Sequence, residues 1–212
     1  MDNKKEIKHI LFDLGGVLLN IDYQLTEDAF KNLGLIDFDE IYSQARQEGL
    51  FDDFEIGRVG KNDFIKSLSD KMQTEVSESN IMNAWNAMLL DFPIERIEML
   101  EFLTKKYDVS LLSNTNEIHY EAFMYLFEES HKRSFNELFK STYYSHLIGM
   151  RKPDKEVFLH IIEKEGLKAE ELLFIDDSVQ HVEGARKLEI QSLFLEKGDD
   201  IVSLLHRSGI LT

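Results

Sequence analysis

Apolar residues along this chain fall into two kinds of pattern. Short unbroken runs, Ile10-Leu11-Phe12, Val109-Ser110-Leu111-Leu112 and Leu172-Leu173-Phe174-Ile175, stop abruptly at polar residues: Asp13, Ser113-Asn114 and Asp176-Asp177. Runs of this length and content fit strands buried on both faces of a sheet. Ser192 to Leu195 and Ser141 to Ser145 look similar but end less tellingly. Between the runs the spacing becomes helical. Ile94, Ile97, Leu100 and Leu103 precede the second run. Val157, Phe158, Ile161 and Ile162 form a stripe that closes at Gly166, a fitting C-cap, and Val182, Ala185, Arg186 and Leu188 follow the paired aspartates. Strands alternating with helices predict right-handed βαβ units, hence an α/β fold with a parallel sheet flanked by helices. In such sheets a ligand sits beyond the carboxyl ends of the strands, where these polar residues fall.

Residues 19–94 read differently, as an all-helical insertion with no convincing strand. Asp28, Lys31 and Asn32 alternating with Ala29, Phe30 and Leu33 predict one helix, and Ile41 and Ala45 another. Asn62 is a fitting N-cap for a helix carrying Phe64, Ile65, Leu68 and Met72. Ile81, Met82, Trp85, Met88, Leu89 and Phe92 form a helical stripe, read as the insertion's own core, with an aromatic ligand surface as the alternative. The expected organisation is a core of residues 1–18 and 95–212 around a helical domain of residues 19–94. Within the insertion, residues 49–60 are either a segment that closes over a ligand, bending at Gly57 and Gly60, or a plain helix–helix connection.

Composition narrows the chemistry. A chain of 212 residues, 43% hydrophobic and 30% charged, can bury a core without staples. The lack of cysteine excludes a disulfide framework, a thiolate zinc site and a cysteine nucleophile. Forty acidic against 24 basic residues give a net charge of −16, a surface that repels nucleic acid and anionic membrane. Any phosphate chemistry must therefore rest on a local pocket. No apolar run reaches the ~18 residues of a membrane span, and MDNKKEIKHI has neither h-region nor small-residue cleavage site. The expectation is a cytoplasmic enzyme for a small molecule, without nucleic-acid or membrane partners; monomer and homodimer both stay open.

Four elements carry candidate chemistry, and each has a bland counterpart. Asp13 ends a buried strand before Gly15-Gly16, where a carboxylate can serve as nucleophile or metal ligand, or merely shape a turn. Ser113-Asn114-Thr115-Asn116, with a helix starting near Glu117, can cradle an anion or simply cap that helix. In Gly149-Met150-Arg151-Lys152-Pro153-Asp154 the proline biases Lys152 away from helical geometry, so its ammonium can enter a site or lie in solvent. Asp176 and Asp177 are adjacent carboxylates that need a cation to stay ionised, and oxygen-rich ligation selects a hard ion, Mg²⁺ above all. Asp13, Asp176 and Asp177 would balance one Mg²⁺ plus Lys152, and an arriving phosphate would meet Ser113, Asn114, Lys152 and the metal.

The order and spacing of FDLGGV, LLSNTN, GMRKPD and FIDDS resemble the haloacid dehalogenase superfamily of hydrolases over nearly the whole chain. That resemblance implies a Rossmann-like core with an inserted helical cap of the superfamily's first type. Within the superfamily, SNTNEIH, LIGMRKPDKEVF and FIDDSVQHVEGA are similar to bacterial alpha-D-glucose-1-phosphate phosphatases, which also open DLG. It implies a Mg²⁺-dependent phosphatase for a small phosphorylated metabolite such as a sugar phosphate. Asp13 would be the nucleophile and form an aspartyl-phosphate; Asp13, the Gly15 carbonyl and Asp177 would hold the metal, with Asp176 assisting. Ser113 and Asn114 would grip phosphoryl oxygens, and Lys152 would neutralise charge.

Two positions depart from that pattern. Gly15 stands where most phosphatases of the superfamily carry an acid/base aspartate. Either the leaving group is unusually acidic, or Asp22 reaches back, or turnover is slow and the protein mainly binds phosphometabolites. His181 stands where relatives often have Asp or Asn; it either supports Asp176 or Asp177 or lies on a helix surface. A metal-free 2-haloacid dehalogenase shares the fold and the nucleophile, but it has no need of the Asp176-Asp177 pair.

Overall fold

The computed structural model describes residues 6–35, 49–72 and 75–211. Five parallel strands, β1 (His9–Phe12), β2 (Asp108–Ser113), β3 (Ser141–Tyr144), β4 (Leu172–Asp176) and β5 (Gln191–Phe194), form one sheet in the order β3-β2-β1-β4-β5. They coincide with the apolar runs. Alternate side chains on a strand point to opposite faces, and the core sorts accordingly. Ile10, Phe12, Leu111 and Ile175 join one cluster with Leu100, Phe127 and Leu205 from α5 (Ile94–Leu103), α6 (Glu117–His131) and α10 (Ile201–Ser208). Leu11, Leu112 and Phe174 join another with Phe158 and Ala185 from α8 (Lys155–Glu165) and α9 (Val179–Arg186). Helices on both faces explain why β1 and β4 are buried along their whole length, whereas β5, at an edge, is only half-buried.

Between β1 and β2 run α1 (Tyr23–Asn32), α2 (Leu50–Glu55), α3 (Lys61–Ser69) and α4 (Glu78–Asn86). They build a separate apolar cluster from Phe30, Phe51, Phe54, Phe64, Ile81 and Trp85, joined by Ile118 of α6. The Phe64 ring centre lies 4.0 Å from that of Phe54 and 4.9 Å from that of Trp85. Among the described residues no helix is long and apolar enough to cross a membrane.

Several local readings change. Asn62 lies inside α3, whose N-cap is Gly60; the Lys61 N–H finds Glu117 Oε2 of α6 at 3.2 Å, so a tertiary partner replaces the local cap. α3 also ends before Met72. The stripe from Ile81 to Phe92 is cut at Asn86. Beyond it the chain runs beside the exit from β1: Asp22 N–H donates to Met88 O, and Leu90 N–H to Asn20 O, both at 2.9 Å. Leu89 bridges Ile21, and Phe92 leaves for the sheet's core, 5.1 Å from Phe127. Residues 49–60 are not a free loop, because α2 occupies half of them. Ile41 and Ala45 lie outside the described residues.

Phe64 is fully buried at the centre of the insertion's aromatic cluster. Phe64→Ala is expected to cost about 3–5 kcal/mol, because the surrounding rings cannot collapse into the space. Urea denaturation measures it, and a loss under ~1 kcal/mol would mean that the cluster is not a rigid core.

Candidate active site

Parallel register sets Phe12 between Leu111 and Ile175. One step further the Asp13 N–H donates to Ile175 O at 2.9 Å, which brings Asp13 beside Asp176. Strand order reverses between β1 and β4: β2 and β3 lie on one side, β5 on the other. Loops diverge at such a point and leave a crevice. Ser113, the last residue of β2, is buried at the same end.

Into this crevice comes Lys152, from the irregular segment between α7 (Ser145–Ile148) and α8. Its ammonium lies 2.6 Å from Asp13 Oδ1 and 2.7 Å from Asp176 Oδ2, with 1% of the side chain exposed. The Phe174 ring lies below it, 5.7 Å from Nζ to the ring centre, a cation–π distance. The backbone at Lys152 is held by Asn114. Its Oδ1 accepts the Lys152 N–H, and its Nδ2 donates to the Lys152 carbonyl, both at 2.9 Å. Ser145 Oγ pins the next residue, accepting the Thr115 N–H and donating to the Thr115 carbonyl, each at 2.9 Å. Asn116 caps α6 by accepting from the His119 N–H at 3.0 Å. Of the two readings of this stretch, the helix cap is seen at Asn116. The Asn114 side chain, expected to grip an anion, is committed to the lysine loop, whose irregular backbone groups need partners.

The electrostatics follow from these contacts. Both oxygens of Asp176 are occupied: Oδ1 accepts from the Ser178 N–H at 2.7 Å, and His181 Nδ1 lies 3.0 and 3.1 Å from the two oxygens. His181 therefore supports Asp176 rather than lying idle on a helix surface. Burial opposes the Asp176 charge, but Lys152 and His181 outweigh it and hold the carboxyl below the usual range. For Asp13 burial dominates and pushes the carboxyl up to about 7; Lys152 opposes, and Asp176 and Asp177 add. Asp177 is also raised, by burial and then by Asp176. Lys152 is raised because its two aspartates outweigh its burial.

Among the described residues, oxygens of Asp13, Asp176 and Asp177 come within 4.8 Å of one another, with Asp177 exposed. One ammonium does not neutralise three carboxylates, and an all-oxygen donor set fits a hard divalent cation. The neighbouring turn is shaped around Asp177: a Cβ at Gly16 would lie 2.1 Å from Asp177 Oδ2, and Gly16 has φ +76°. Its neighbour Gly15 sits in the turn bridged to Leu19.

A cleft of about 380 Å³ opens between insertion and sheet, lined by Tyr23, Glu55, Trp85, Asn114, Asn116 and His119. Trp85 therefore serves as core and as cleft wall together. Asp22 caps α1, its Oδ1 accepting the Gln24 N–H at 3.0 Å. Arg151, beside Lys152, pairs with Asp52 and, at 3.0 Å, with Glu55 of α2. The His119 ring stacks on Trp85 at 5.2 Å, and its Nε2 meets the Trp85 carbonyl at 3.0 Å. Burial lowers His119 from its ordinary 6.5 to about 4. Arg151, Glu55, His119 and Ser145 were not singled out from the sequence. Each nonetheless lay in a stretch the sequence had marked: Arg151 in GMRKPD, His119 in SNTNEIH, Glu55 in residues 49–60 and Ser145 at the end of the run from Ser141.

A family model for haloacid dehalogenase-like hydrolases matches residues 7–188. D-ribitol-5-phosphate phosphatase of Bacteroides thetaiotaomicron is 30% identical over 194 residues, covering 92% of this chain and 94% of that protein. The structure of a HAD family enzyme of the same organism, in complex with magnesium and inorganic phosphate, superposes with TM-score 0.87 at 34% identity, covering 93% of this chain and 98% of the other. A protein described as a HAD-like family hydrolase of Porphyromonas gingivalis superposes with TM-score 0.86 at 31% identity, covering 96% and 98%.

Two outcomes follow from this geometry. Asn114→Ala strips both partners from the Lys152 backbone and is expected to cost about 1–3 kcal/mol in chemical denaturation; an unchanged midpoint would show that the loop stands without it. His119 is held below its unfolded value, so between pH 6.5 and about 4 the unfolded chain binds the extra proton. Its contribution to stability is whole above pH 6.5 and is lost as pH falls through that window. Melting curves of wild type minus His119→Gln should show this slope; parallel curves would refute it.

Proposed function

This chain belongs to the haloacid dehalogenase-like hydrolases, and we propose that it is a magnesium-dependent phosphatase for a small polyol or sugar phosphate, working through a phosphoryl group carried on Asp13. The observation that carries this reading is the pairing of Asp13 with a buried lysine beside an exposed, uncompensated carboxylate. Asp13 attacks phosphorus in line with the leaving oxygen. Lys152 neutralises charge on the nucleophile and on the phosphoryl oxygens, while Asp176 and His181 hold Lys152 in place. The Ser113 hydroxyl and the main chain of the Asn114 loop donate to phosphoryl oxygens. The Asp13 carboxylate, the Gly15 carbonyl and Asp177 hold the magnesium, with Asp176 behind them. Magnesium bound there supplies positive charge to the phosphoryl oxygens as the bond to phosphorus breaks. In phosphoryl transfer, positioning and charge neutralisation carry most of the catalysis, which suits a site built of fixed charges.

Residues 19–94 form the cap in this reading, and residues 1–18 and 95–212 the catalytic core. The related D-ribitol-5-phosphate phosphatase supports a polyol phosphate, as do the polar side chains of the cleft beneath the cap. A metal-free dehalogenase has no use for an exposed Asp177 beside two further carboxylates.

The test offers purified protein ribitol 5-phosphate, glucose 1-phosphate and 2-chloropropionate, with magnesium or with EDTA. Phosphate release that EDTA abolishes and magnesium restores is expected, with Asp13→Asn slower by roughly 10⁴-fold or more. Metal-independent chloride release, or binding of phosphate esters without turnover, would overturn the reading.

A further inference from the structure

An ordinary alcohol leaves phosphorus as an alkoxide unless a proton arrives as the bond breaks, and Gly15 has no side chain to bring one. The space beside Gly15 is taken, since a Cβ there would lie 3.2 Å from Cδ1 of Ile21. Asp22 engages Oδ1 in the cap of α1 and lines a separate pocket with Gly16 and Asp177. Two other acids line the cleft. Glu27 is ion-paired with Lys31 one helical turn away. Glu55, the last residue of α2, faces the same cleft as Asn114 and Asn116, and its own ion-pair partner, Arg151, adjoins Lys152.

Glu55 is half-buried. Its Oε2 lies 3.0 Å from Arg151 Nη2, and among the described residues this buried oxygen makes no hydrogen bond. Arg151 directly precedes Lys152, whose ammonium touches Asp13. The end of α2 is pressed onto the sheet side of the cleft: Gly57, with φ +71°, follows it so closely that a Cβ would lie 2.3 Å from the His146 carbonyl oxygen. Burial strengthens the carboxyl's hold on a proton and Asp52 adds to it, while Arg151, His181 and Lys152 oppose; the balance is upward.

We propose that Glu55, carried by the insertion, is the proton-transfer residue of the reaction, in the role that Gly15 leaves vacant. This assignment rests on the phosphatase reading. In the first half-reaction an Asp13 oxygen bonds to phosphorus, the bond from phosphorus to the leaving oxygen breaks, and the Glu55 carboxylic acid gives its proton to that oxygen, releasing the alcohol. In the second, water bonds to phosphorus and gives a proton to the Glu55 carboxylate. The Asp13–phosphorus bond breaks, and hydrogen phosphate, the free Asp13 carboxylate and protonated Glu55 result.

The decisive experiment compares Glu55→Gln with wild type in magnesium-loaded enzyme, in the first turnover, on two substrates. Alcohol release from ribitol 5-phosphate needs the proton and should slow by about 10²-fold or more. The burst of p-nitrophenolate from p-nitrophenyl phosphate needs none and should change by less than about threefold, which also shows that the variant is folded. Glu55→Asp, which keeps the acid, should recover part of the loss. Equal slowing on both substrates, or none on either, would overturn the assignment while leaving the phosphatase reading intact. Wild type that releases phosphate from neither substrate would overturn both.

Discussion

Everything at this site depends on one buried ammonium. Taking a lysine charge out of water costs several kcal/mol, and the loss is offset only by close, well-aligned opposite charge. Lys152 meets that condition with carboxylate oxygens at 2.6 and 2.7 Å from two different strand ends. The triad is not required for stability, because well-packed apolar residues in place of all three groups often hold as well or better, whereas loss of Lys152 alone would strand two buried carboxylates. In the proposed phosphatase reading, it holds charge ready at fixed distance where charge develops on a phosphoryl group.

The sheet makes the arrangement possible. Parallel pairing of β1 with β4 sets Asp13 beside Asp176, and the reversal of strand order opens space above them. The lysine has no strand of its own. Its loop is fastened from the neighbouring strand end by Asn114, while Ser145 fastens the residue after Asn114. The Asn114 side chain is committed to the backbone of Lys152. His181 completes the scaffold from the far side by holding Asp176.

The insertion meets the core through ion pairs and rings rather than through the sheet. Arg151 reaches Asp52 and Glu55, Lys61 reaches Glu121 at 2.8 Å, and His119 of α6 stacks on Trp85. Glu55, Trp85 and His119 among them wall the cleft, and Arg151 joins Glu55 to the lysine loop as the residue before Lys152. Position of the insertion and position of the ammonium are thereby mechanically linked.

Much of this was legible in the residues alone. Continuous apolar runs ending in Asp13, Ser113 and Asp176 announce buried parallel strands and place their polar ends together, because burial on both faces leaves no other pattern for such segments. The carboxylates were visible for the same reason, as charged residues at the ends of buried runs, whereas Lys152 was marked by the proline that follows it. What the sequence could not decide is how side chains with several uses are spent. Asn114 could grip an anion or a backbone, Asp22 could reach back or cap, and the stripe from Ile81 to Phe92 could form one helix or divide between two cores. Apart from the local cap of Asp22 on Gln24, these choices turn on partners distant in the chain, as with Lys61 and Glu117 or Glu55 and Arg151. Local periodicity carries no information about such partners; only the packed chain brings them within hydrogen-bonding reach.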